Sequence, residues 1–600
     1  MYLHDAARSG FTEEKIQMPL AREWVHVSVS EPENAWAPPI PRVVEGNREV
    51  DRVDFDHAFQ VVADGESVYF GSSSSDQVYC LDLASGNTRW TFFTDGPVRL
   101  APSLAGGRLY FGSDDGFVYC LNTVDGKLIW KQLLGFNERK HLGNGRLISR
   151  WPVRTSVLVD RNVAYCGAGV FPHEGIILAA LDAQTGKTIW RNDTLGDVNA
   201  NRSRLTPQGY LIANDKYLYV PSGRDLPASF NRSDGKLRFH ASASWRGSGI
   251  VGGTYGVLVD DQLITGANQN VAFDAETGRT GAGWFDGRRM VVKGKVSYLA
   301  KEDSVVAIDR AEYGAGSRTL LEMRRRHDGR EKDDPKYLWS VSRSMQREEE
   351  ARRPSQRDPL RIAELKRKVK EYFAQIKAME KEEAEFEKSY KAAATLWKVD
   401  TEAFSSLIAT PDTVFAGGDG IVIAINATSG SKIWQAKVDG IASGMAISNG
   451  RLLVTSDSGR IYCFAPGNSD RGSEAVSRTE FADGPAAQQK AIRAAVEQIM
   501  NGLPSRRGYA LVLGLKTGQL AWELATRTGL KIIAIDPDPE VADHVRRNLA
   551  DTGYYGNRIH VLGGDIDQLP NYFANLIVSE SAILGSPVPA CANDVARMVR

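Results

Sequence analysis

The sequence predicts a mainly β fold, a β-propeller built from repeated four-stranded blades. Residues 68–90 and 109–130 share one pattern, in which an alternating strand, a Gly/Asp turn, a second strand and another Gly turn lead to a terminal Trp. Short strands separated by tight turns are typical of an antiparallel meander. The glycine content agrees with this fold, since 57 glycines in 600 residues exceed the usual ~7%.

The end of the repeat recurs along the chain at residues 181–190, 273–284 and 425–434, with a weaker copy at 231–239 that has Phe in place of Trp. In each copy, Asp or Asn and Thr or Ser side chains can cap the turn, and Gly supplies a positive φ. The terminal Trp is expected to be buried between neighbouring blades. A supersecondary unit repeated in this way predicts a closed ring or a solenoid.

The strand pairs predict eight blades, with seven as the alternative. The predicted pairs are 68–82, 109–122, 163–182, 218–231, 263–274, 297–309, 414–426 and 452–464. No Trp follows the last pair, and Leu20 to Trp24 could supply the missing outer strand. We therefore expect residues 1–50 to close a propeller formed by residues 51–309 and 395–467, which would remove an exposed sheet edge.

The run A-x-D-x-x-T-G-x-x-x-W resembles the tryptophan-docking motif of pyrroloquinoline-quinone-dehydrogenase-like propellers. The resemblance covers the chain from about residue 50 to residue 465 and implies the fold, because propellers without a quinone share the motif. Dehydrogenases of that family carry two adjacent cysteines over the quinone. The cysteines here are not adjacent, which argues against a quinone cofactor, and they are predicted to be small buried residues with no metal site; they are Cys80, Cys120, Cys166, Cys463 and Cys591.

A charged insertion, residues 310–394, separates the sixth strand pair from its expected Trp at position 397. Its apolar residues follow heptad spacing at Ile362, Leu365, Val369, Tyr372, Ile376, Met379, Phe386 and Tyr390. Asp358 and Pro359 form a good helix start. Two interpretations stay open, a single helix that leans on the ring and a helical hairpin or coiled-coil arm that binds a protein partner.

The composition changes after Gly467, where residues 468–485 are predicted to be a linker. From residue 486 to 600, apolar strands alternate with helices, which predicts a doubly wound parallel sheet. A Gly-rich turn at 514–518 follows the first strand and Asp536 ends the second. Such a turn allows a cofactor to approach the backbone, and such a carboxylate can bind ribose hydroxyls, in dinucleotide folds as well as in others.

A further acid, Asp565, follows the third strand, and this layout resembles the Rossmann-like class I S-adenosylmethionine-dependent methyltransferases. The resemblance implies that Gly514 and Gly518 flank the methionine end of the cofactor, that Asp536 holds the ribose and that Asp565 holds the adenine. Lys516 departs from the family, which has glycine at this position. About four of the family's seven strands are present, so we expect a partial domain and a longer full-length protein.

Four residues are candidates for the channel of the propeller. Arg99 and Arg154 follow Pro-Val at matching points of two blades, where inner strands border the channel, and His57 and Gln208 lie at comparable places. One interpretation is that they bond to neighbouring strands and close the ring. The other is a pocket for an anion or a peptide carboxylate, since arginine offers forked donors.

Two functions follow. The first is a propeller that recruits a substrate for S-adenosylmethionine-dependent methyl transfer by the C-terminal domain, with the methyl acceptor open. The second is a non-enzymatic propeller scaffold whose cofactor domain is degenerate. Lys plus Arg equals Asp plus Glu, 74 each, which argues against nucleic-acid binding. No apolar run approaches the ~18 residues of a membrane span. The propeller resemblance favours export and the cofactor favours the cytosol, so the compartment stays open.

Overall fold

The structure is a computed structural model. It describes residues 2–36, 55–196, 205–223, 225–241, 252–266, 270–470, 474–476, 480–481, 484–503 and 505–600. Part of the predicted N-terminal closing segment (37–50) and part of the predicted linker (471–473, 477–479 and 482–483) lie outside these residues.

Six antiparallel four-stranded sheets, each with its strands in sequential order, follow an N-terminal strand β1 (Leu20–Val27). The first two are β2 (Val61–Ala63), β3 (Ser67–Gly71), β4 (Gln77–Asp82), β5 (Thr88–Phe93), and β6 (Ser103–Ala105), β7 (Arg108–Gly112), β8 (Phe117–Asn122), β9 (Leu128–Leu133). After a hairpin of β10 (Lys140–Gly143) and β11 (Arg146–Ser149) comes a third sheet of β12 (Leu158–Asp160), β13 (Val163–Ala168), β14 (Ile177–Asp182) and β15 (Thr188–Asn192).

The next three sheets continue the pattern. They are β16 (Ile212–Ala213), β17 (Tyr217–Ser222), β18 (Asp225–Asn231), β19 (Leu237–His240); β20 (Gly256–Val259), β21 (Gln262–Thr265), β22 (Asn270–Asp274), β23 (Thr280–Phe285); and β24 (Arg289–Lys293), β25 (Val296–Ala300), β26 (Ser304–Asp309), β27 (Thr395–Asp400). The prediction of a mainly β propeller is confirmed by these repeated small sheets.

A seven-stranded sheet joins the two ends of the propeller. Its strands, in spatial order, are β28 (Ser406–Ala409), β29 (Thr413–Asn426), β30 (Lys432–Ser448), β31 (Arg451–Ser456), β32 (Arg460–Pro466), then β1 and β33 (Glu474–Val476). β1 runs antiparallel to β32, with Trp24 opposite Cys463. The N-terminal strand therefore lies between β32 and β33 in the sheet formed by the end of the repeat region.

The terminal Trp of one sheet packs on the turn glycine of the next. A Cβ atom at Gly126 would lie 2.6 Å from the Trp90 ring, and one at Gly86 would lie 2.6 Å from Trp24. Five indole N–H groups also donate to a backbone carbonyl of the following sheet: Trp24 to Leu83 (2.9 Å), Trp90 to Thr123 (3.0 Å), Trp130 to Ala183 (3.1 Å), Trp190 to Arg232 (2.8 Å) and Trp397 to Ala427 (3.0 Å). Within the seven-stranded sheet, the Trp434 indole donates in the same way to the Leu20 carbonyl (2.7 Å). The motif is thus a docking joint between sheets.

Burial of these tryptophans is less uniform than predicted. Trp24, Trp190 and Trp397 are buried, whereas Trp90, Trp130 and Trp434 are half-buried. The cysteines also differ from one another. Four of the five are buried, as expected of small apolar residues, but Cys591 is exposed at the start of a C-terminal helix, so the prediction was wrong for this residue.

The insertion between β26 and β27 forms three helices, α1 (Arg310–Arg326), α2 (Pro335–Ala351) and α3 (Pro359–Ala394). Both α1 and α2 pack against α3. The Asp358 side chain accepts the backbone N–H groups of Leu360 and Arg361, which starts α3. The heptad residues Leu365 and Ile376 are buried by this packing. The segment is therefore a packed three-helix bundle.

The C-terminal residues form a four-stranded parallel sheet with helices between its strands. Its strands are β34 (Arg507–Leu513), β35 (Gly529–Asp536), β36 (Ile559–Gly563) and β37 (Leu576–Ser579), in the order β36-β35-β34-β37. The helices are α4 (Ala486–Gly502), α5 (Gln519–Arg527), α6 (Pro539–Leu549), α7 (Glu580–Ile583) and α8 (Ala592–Met598). In the described part of the chain, no helix is long and apolar enough to cross a membrane.

Candidate functional site

The predicted glycine turn lies at the carboxyl end of β34 and leads directly into α5. Gly514 and Gly518 both have positive φ, +66° and +80°, and Gly518 is the residue before the helix. A Cβ at Gly514 would lie 2.9 Å from Pro589 Cδ, and one at Gly518 would lie 2.7 Å from Val545 Cγ1. The chain's own residues thus pack against both glycines.

The predicted ribose ligand, Asp536, is bonded to the backbone of its own region. It is 7% exposed, and its two carboxylate oxygens accept the N–H groups of Leu515 (2.7 Å) and Asp538 (2.9 Å). Asp536 therefore fixes the glycine turn to the end of β35. The predicted adenine ligand, Asp565, is exposed and accepts the N–H of Asp567 (3.1 Å).

A cavity of about 330 Å³ lies at the carboxyl ends of β34, β35 and β36, where ligands bind in open α/β sheets. Asp565 contributes to its wall, together with Leu513, Ile535, Pro537, Gly564, Ile566 and Pro589. Gly514, Lys516, Gly518 and Asp536 do not belong to this wall. The structure therefore brings one of the five predicted cofactor residues to the cavity and uses Asp536 inside the fold.

A residue that sequence reasoning missed, Glu580, occupies the glycine turn. Its carboxylate accepts the backbone N–H groups of Lys516 (3.4 Å), Thr517 (3.2 Å) and Gly518 (3.2 Å), and the Thr517 hydroxyl (2.7 Å). Glu580 is fully buried. The sequence signal for it was an acid directly after the fourth strand, at a position 62 residues from Gly518.

These contacts decide how well the residues fit S-adenosylmethionine. The cavity beside Asp565 suits the size and polarity of one end of a nucleoside. The glycine turn does not fit the other end, because the Glu580 carboxylate already bonds to its N–H groups and both oxygens of Asp536 accept backbone N–H groups. The closed arrangement of the turn therefore does not fit the whole cofactor.

The four channel candidates belong to one polar network in the propeller. Arg99 and Arg154 both donate to the buried carboxylate of Asp114, with distances of 2.7 Å from Arg99 Nε and 2.9 Å from Arg154 Nε. Arg99 also donates to Asp56 (2.8 Å) and to the Glu33 carbonyl (2.7 Å). The two arginines, which were predicted to occupy matching positions, therefore share the Asp114 carboxylate, and the N-terminal segment that contains Glu33 lies beside Arg99.

The same N-terminal segment contacts the other two candidates. The Trp36 indole donates to Gln208 Oε1 (3.1 Å), and the Arg154 guanidinium lies 5.1 Å from the Trp36 ring centre. Asn34 Nδ2 and His57 Nδ1 are 2.9 Å apart. Residues 33–36 thus contact all four candidates, Arg99, Arg154, Gln208 and His57.

Charge neutralisation governs the ionisation of this network. Burial by itself would raise the pKa of Asp114, but the charges of Arg154 and Arg99 outweigh it and lower the pKa to about 2. Burial raises the pKa of Asp56, a change that Arg99 opposes. The Asp114 carboxylate is consequently the stable counter-ion of two buried guanidinium groups.

A second cavity, of about 260 Å³, lies among the inner strands of several sheets. Its wall contains aromatic and cationic residues that sequence reasoning missed, including Tyr2, Tyr210, Tyr255, Arg288 and Arg289, beside the predicted His57. The Tyr2 and Tyr210 rings are stacked with centroids 3.6 Å apart. The open part of the channel therefore lies beside these residues, whereas Arg99 and Arg154 are closed off by their own ion pairs.

The C-terminal unit docks on the propeller through charged groups. Arg546 on α6 pairs with Asp95, which follows β5. His560 Nδ1 on β36 lies 2.7 Å from the fully buried Asp76 carboxylate, and Asp76 also bonds to Arg146. Burial opposes ionisation of Asp76, yet Arg146 and His560 lower its pKa overall.

Backbone packing supports this docking. Gly556 lies so close to the Ser74 carbonyl that a side chain would not fit, and Lys531 Nζ donates to the Gly145 carbonyl (3.1 Å). Beside this contact, a cleft of about 1310 Å³ separates residues 137–141 and 173–174 of the propeller from residues 565–571 and Arg597 of the C-terminal unit.

Within the described residues, no group of three or more His, Cys, Asp or Glu could hold a metal ion.

Comparison with known proteins agrees with the repeat geometry. A sequence profile of the family described as "Outer membrane protein assembly factor BamB" matches residues 173–344 and 418–529, which is less than half of the chain. The chain contains a β-propeller of PQQ-like repeats. The second matched range extends beyond the PQQ-like propeller into the C-terminal unit, and no comparison indicates a methyltransferase there.

A curated relative gives a distant match. It is "Outer membrane protein assembly factor BamB" of Moranella endobia (strain PCIT), 23% identical over 258 residues, which is 42% of this chain. The match spans 60% of that relative's own length.

Solved structures similar to the PQQ-like propeller include two kinds of protein. BamB from Moraxella catarrhalis has a TM-score of 0.30 and 14% identity, covering 67% of this chain and 80% of its own. Quinohemoprotein alcohol dehydrogenase from Comamonas testosteroni has a TM-score of 0.47 and 13% identity, covering 81% of this chain and 83% of its own.

Proposed function

We propose that this chain is a binding scaffold in which the PQQ-like propeller holds the C-terminal α/β unit and presents the cleft between them to a protein partner. The observation that carries the proposal is the docking contact, in which Arg546 pairs with Asp95 and His560 bonds to Asp76. Arg546 is 6% exposed and Asp76 is fully buried, so the contact between the two parts shields both charged groups from solvent.

The curated relative is named an assembly factor, and this name also supports a scaffold role. The buried ion pairs of the propeller channel are a second argument for a scaffold role. Arg99 and Arg154 are bonded to Asp56 and Asp114, so these residues stabilise the ring. What stays open to a partner is the mixed-charge cleft of about 1310 Å³, with the three-helix insertion as a further surface.

We also propose that the ring has eight blades. β29 pairs with β28 through residues 414–417 and with β30 through residues 419–425, whereas β30 pairs with β31 through residues 442–448. The long strands therefore divide into halves. The seventh blade is β28, both halves of β29 and the first half of β30, and the eighth is the second half of β30 with β31, β32 and β1.

Replacing Arg546 by alanine should undock the C-terminal unit. The change removes the ion pair with Asp95 across the contact and the bonds to the Val561 carbonyl within the C-terminal unit, which together should cost about 1.5–3 kcal/mol. Differential scanning calorimetry should show a transition of the C-terminal unit at lower temperature, with the propeller transition unchanged. Arg547→Ala is the matched control, since Arg547 is the exposed neighbour on the same helix. An identical profile for both variants would contradict the docking role.

A second candidate function is S-adenosylmethionine-dependent methyl transfer, which we propose on the cavity beside Asp565 and the parallel sheet around it. Whole-cofactor binding requires the Glu580–Pro589 segment to leave the glycine turn, so binding to the intact chain should be weak. Calorimetric titration with S-adenosylmethionine should give a small heat that Asp565→Ala abolishes. Absence of heat from the unchanged protein would leave the scaffold role alone.

A further inference from the structure

Glu580 lies where α/β nucleotide-binding folds place a phosphate. The first N–H groups of an α-helix have no partner within the helix, and the helix dipole favours a negative charge beside them. In dinucleotide-binding folds the pyrophosphate takes this place at the glycine turn. Here the N–H groups of Lys516, Thr517 and Gly518, the three residues that precede α5, donate to Glu580.

Residues 580–589, the segment that carries Glu580, pack against the glycine turn. Ser581 N–H donates to the Gly514 carbonyl (2.9 Å), and the Ser581 hydroxyl bonds to the Pro587 carbonyl (3.0 Å). Pro589 lies against Gly514, where a side chain would not fit. The absence of a side chain at Gly514 therefore makes room for residues 581–589 of this chain.

We propose that Glu580 is a built-in anion that closes the glycine turn and makes the C-terminal unit reject phosphate-bearing nucleotides. A pyrophosphate would meet a carboxylate of the same charge in the same volume, and the donors it needs are already used. The proposal rests on this contact and does not depend on the scaffold role or on S-adenosylmethionine binding. It also separates this unit from the dinucleotide folds that share its glycine turn and its acid at the end of β35.

The test is to remove the internal anion from the intact chain. Glu580→Ala leaves the N–H groups of the turn without an acceptor and opens the volume beside them. Titration with inorganic pyrophosphate should then raise the Tm of the C-terminal transition in a saturable way and broaden the ³¹P resonance. The unchanged protein should give neither response. Glu540→Ala is the control, because Glu540 is exposed on α6 and its loss is the same change in charge.

A second variant covers the case in which Glu580→Ala does not fold. Glu580→Gln keeps the size of the side chain and one acceptor oxygen but removes the charge, so it should fold and respond to pyrophosphate more weakly than the alanine variant. Saturable pyrophosphate binding by the unchanged protein would overturn the proposal. A folded glutamine variant that responds no more than the unchanged protein would overturn it as well.

Discussion

Replacing Asp114 by alanine should destabilise the propeller by about 3–5 kcal/mol, because it leaves two buried guanidinium groups without their shared counter-ion. Asp114, Arg99 and Arg154 have side chains that are 1–3% exposed, so solvent cannot compensate for the lost charge. Chemical denaturation followed by circular dichroism measures the change. Asp125→Ala, which removes an exposed aspartate that pairs with Lys127 on the same blade, should leave the free energy of unfolding nearly unchanged.

The pH dependence of the free energy of unfolding is an independent test of the contribution of Asp114. Its folded pKa of about 2 lies below the value of about 3.9 in an unfolded chain. The stabilisation from Asp114 is therefore complete above the unfolded pKa and is lost as the pH falls through about 2. The difference in stability between the unchanged protein and Asp114→Ala should shrink in that interval. A difference that is constant down to pH 2 would contradict the assigned ion pairs.

Replacing Trp24 by alanine should cost about 3–5 kcal/mol, since it removes a fully buried indole from the joint between the last and first sheets. Trp24 is 2% exposed, packs on Gly86 and donates to the Leu83 carbonyl. Denaturant unfolding followed by circular dichroism measures the loss. Trp339→Ala, on α2 of the insertion, changes a half-buried indole away from the ring and should leave the propeller's stability nearly unchanged.

A loss below about 1 kcal/mol for Trp24→Ala would contradict closure of the ring by β1. Gly86→Ala offers a second measurement of the same joint. Its Cβ would overlap the Trp24 ring, and its φ of +73° is unfavourable for alanine. The two variants should therefore destabilise the protein in the same direction.

The propeller could be predicted because its signal is local. The Asp or Asn, the glycine and the aromatic residue of each repeat lie within one turn and one strand. Residues 181–190, for example, contain the whole joint except the blade on which the Trp packs. The helical insertion was only partly predictable. Heptad spacing marks α3, but α1 and α2 are mostly polar, and the sequence does not say which helix they pack against.

The candidate site was less predictable because its contacts are distant in sequence. Arg99 and Arg154 could be placed at equivalent positions, but their partner Asp114 belongs to a loop between strands, and Asp56 to the segment before β2. At the glycine turn, the motif is the same whether a cofactor or Glu580 takes the N–H groups. Only the packing of residues 580–589 distinguishes the two cases.

Hydrogen–deuterium exchange of the intact chain tests most directly the central claim that the propeller holds the C-terminal unit. Gly556 covers the Ser74 backbone and His560 bonds to Asp76, so the loop 72–76 should exchange slowly. In Arg546→Ala the same loop should exchange faster, while strands β7 and β8 keep their protection. Equal exchange of the loop in both proteins, or rapid exchange of the loop in the unchanged protein, would contradict the claim.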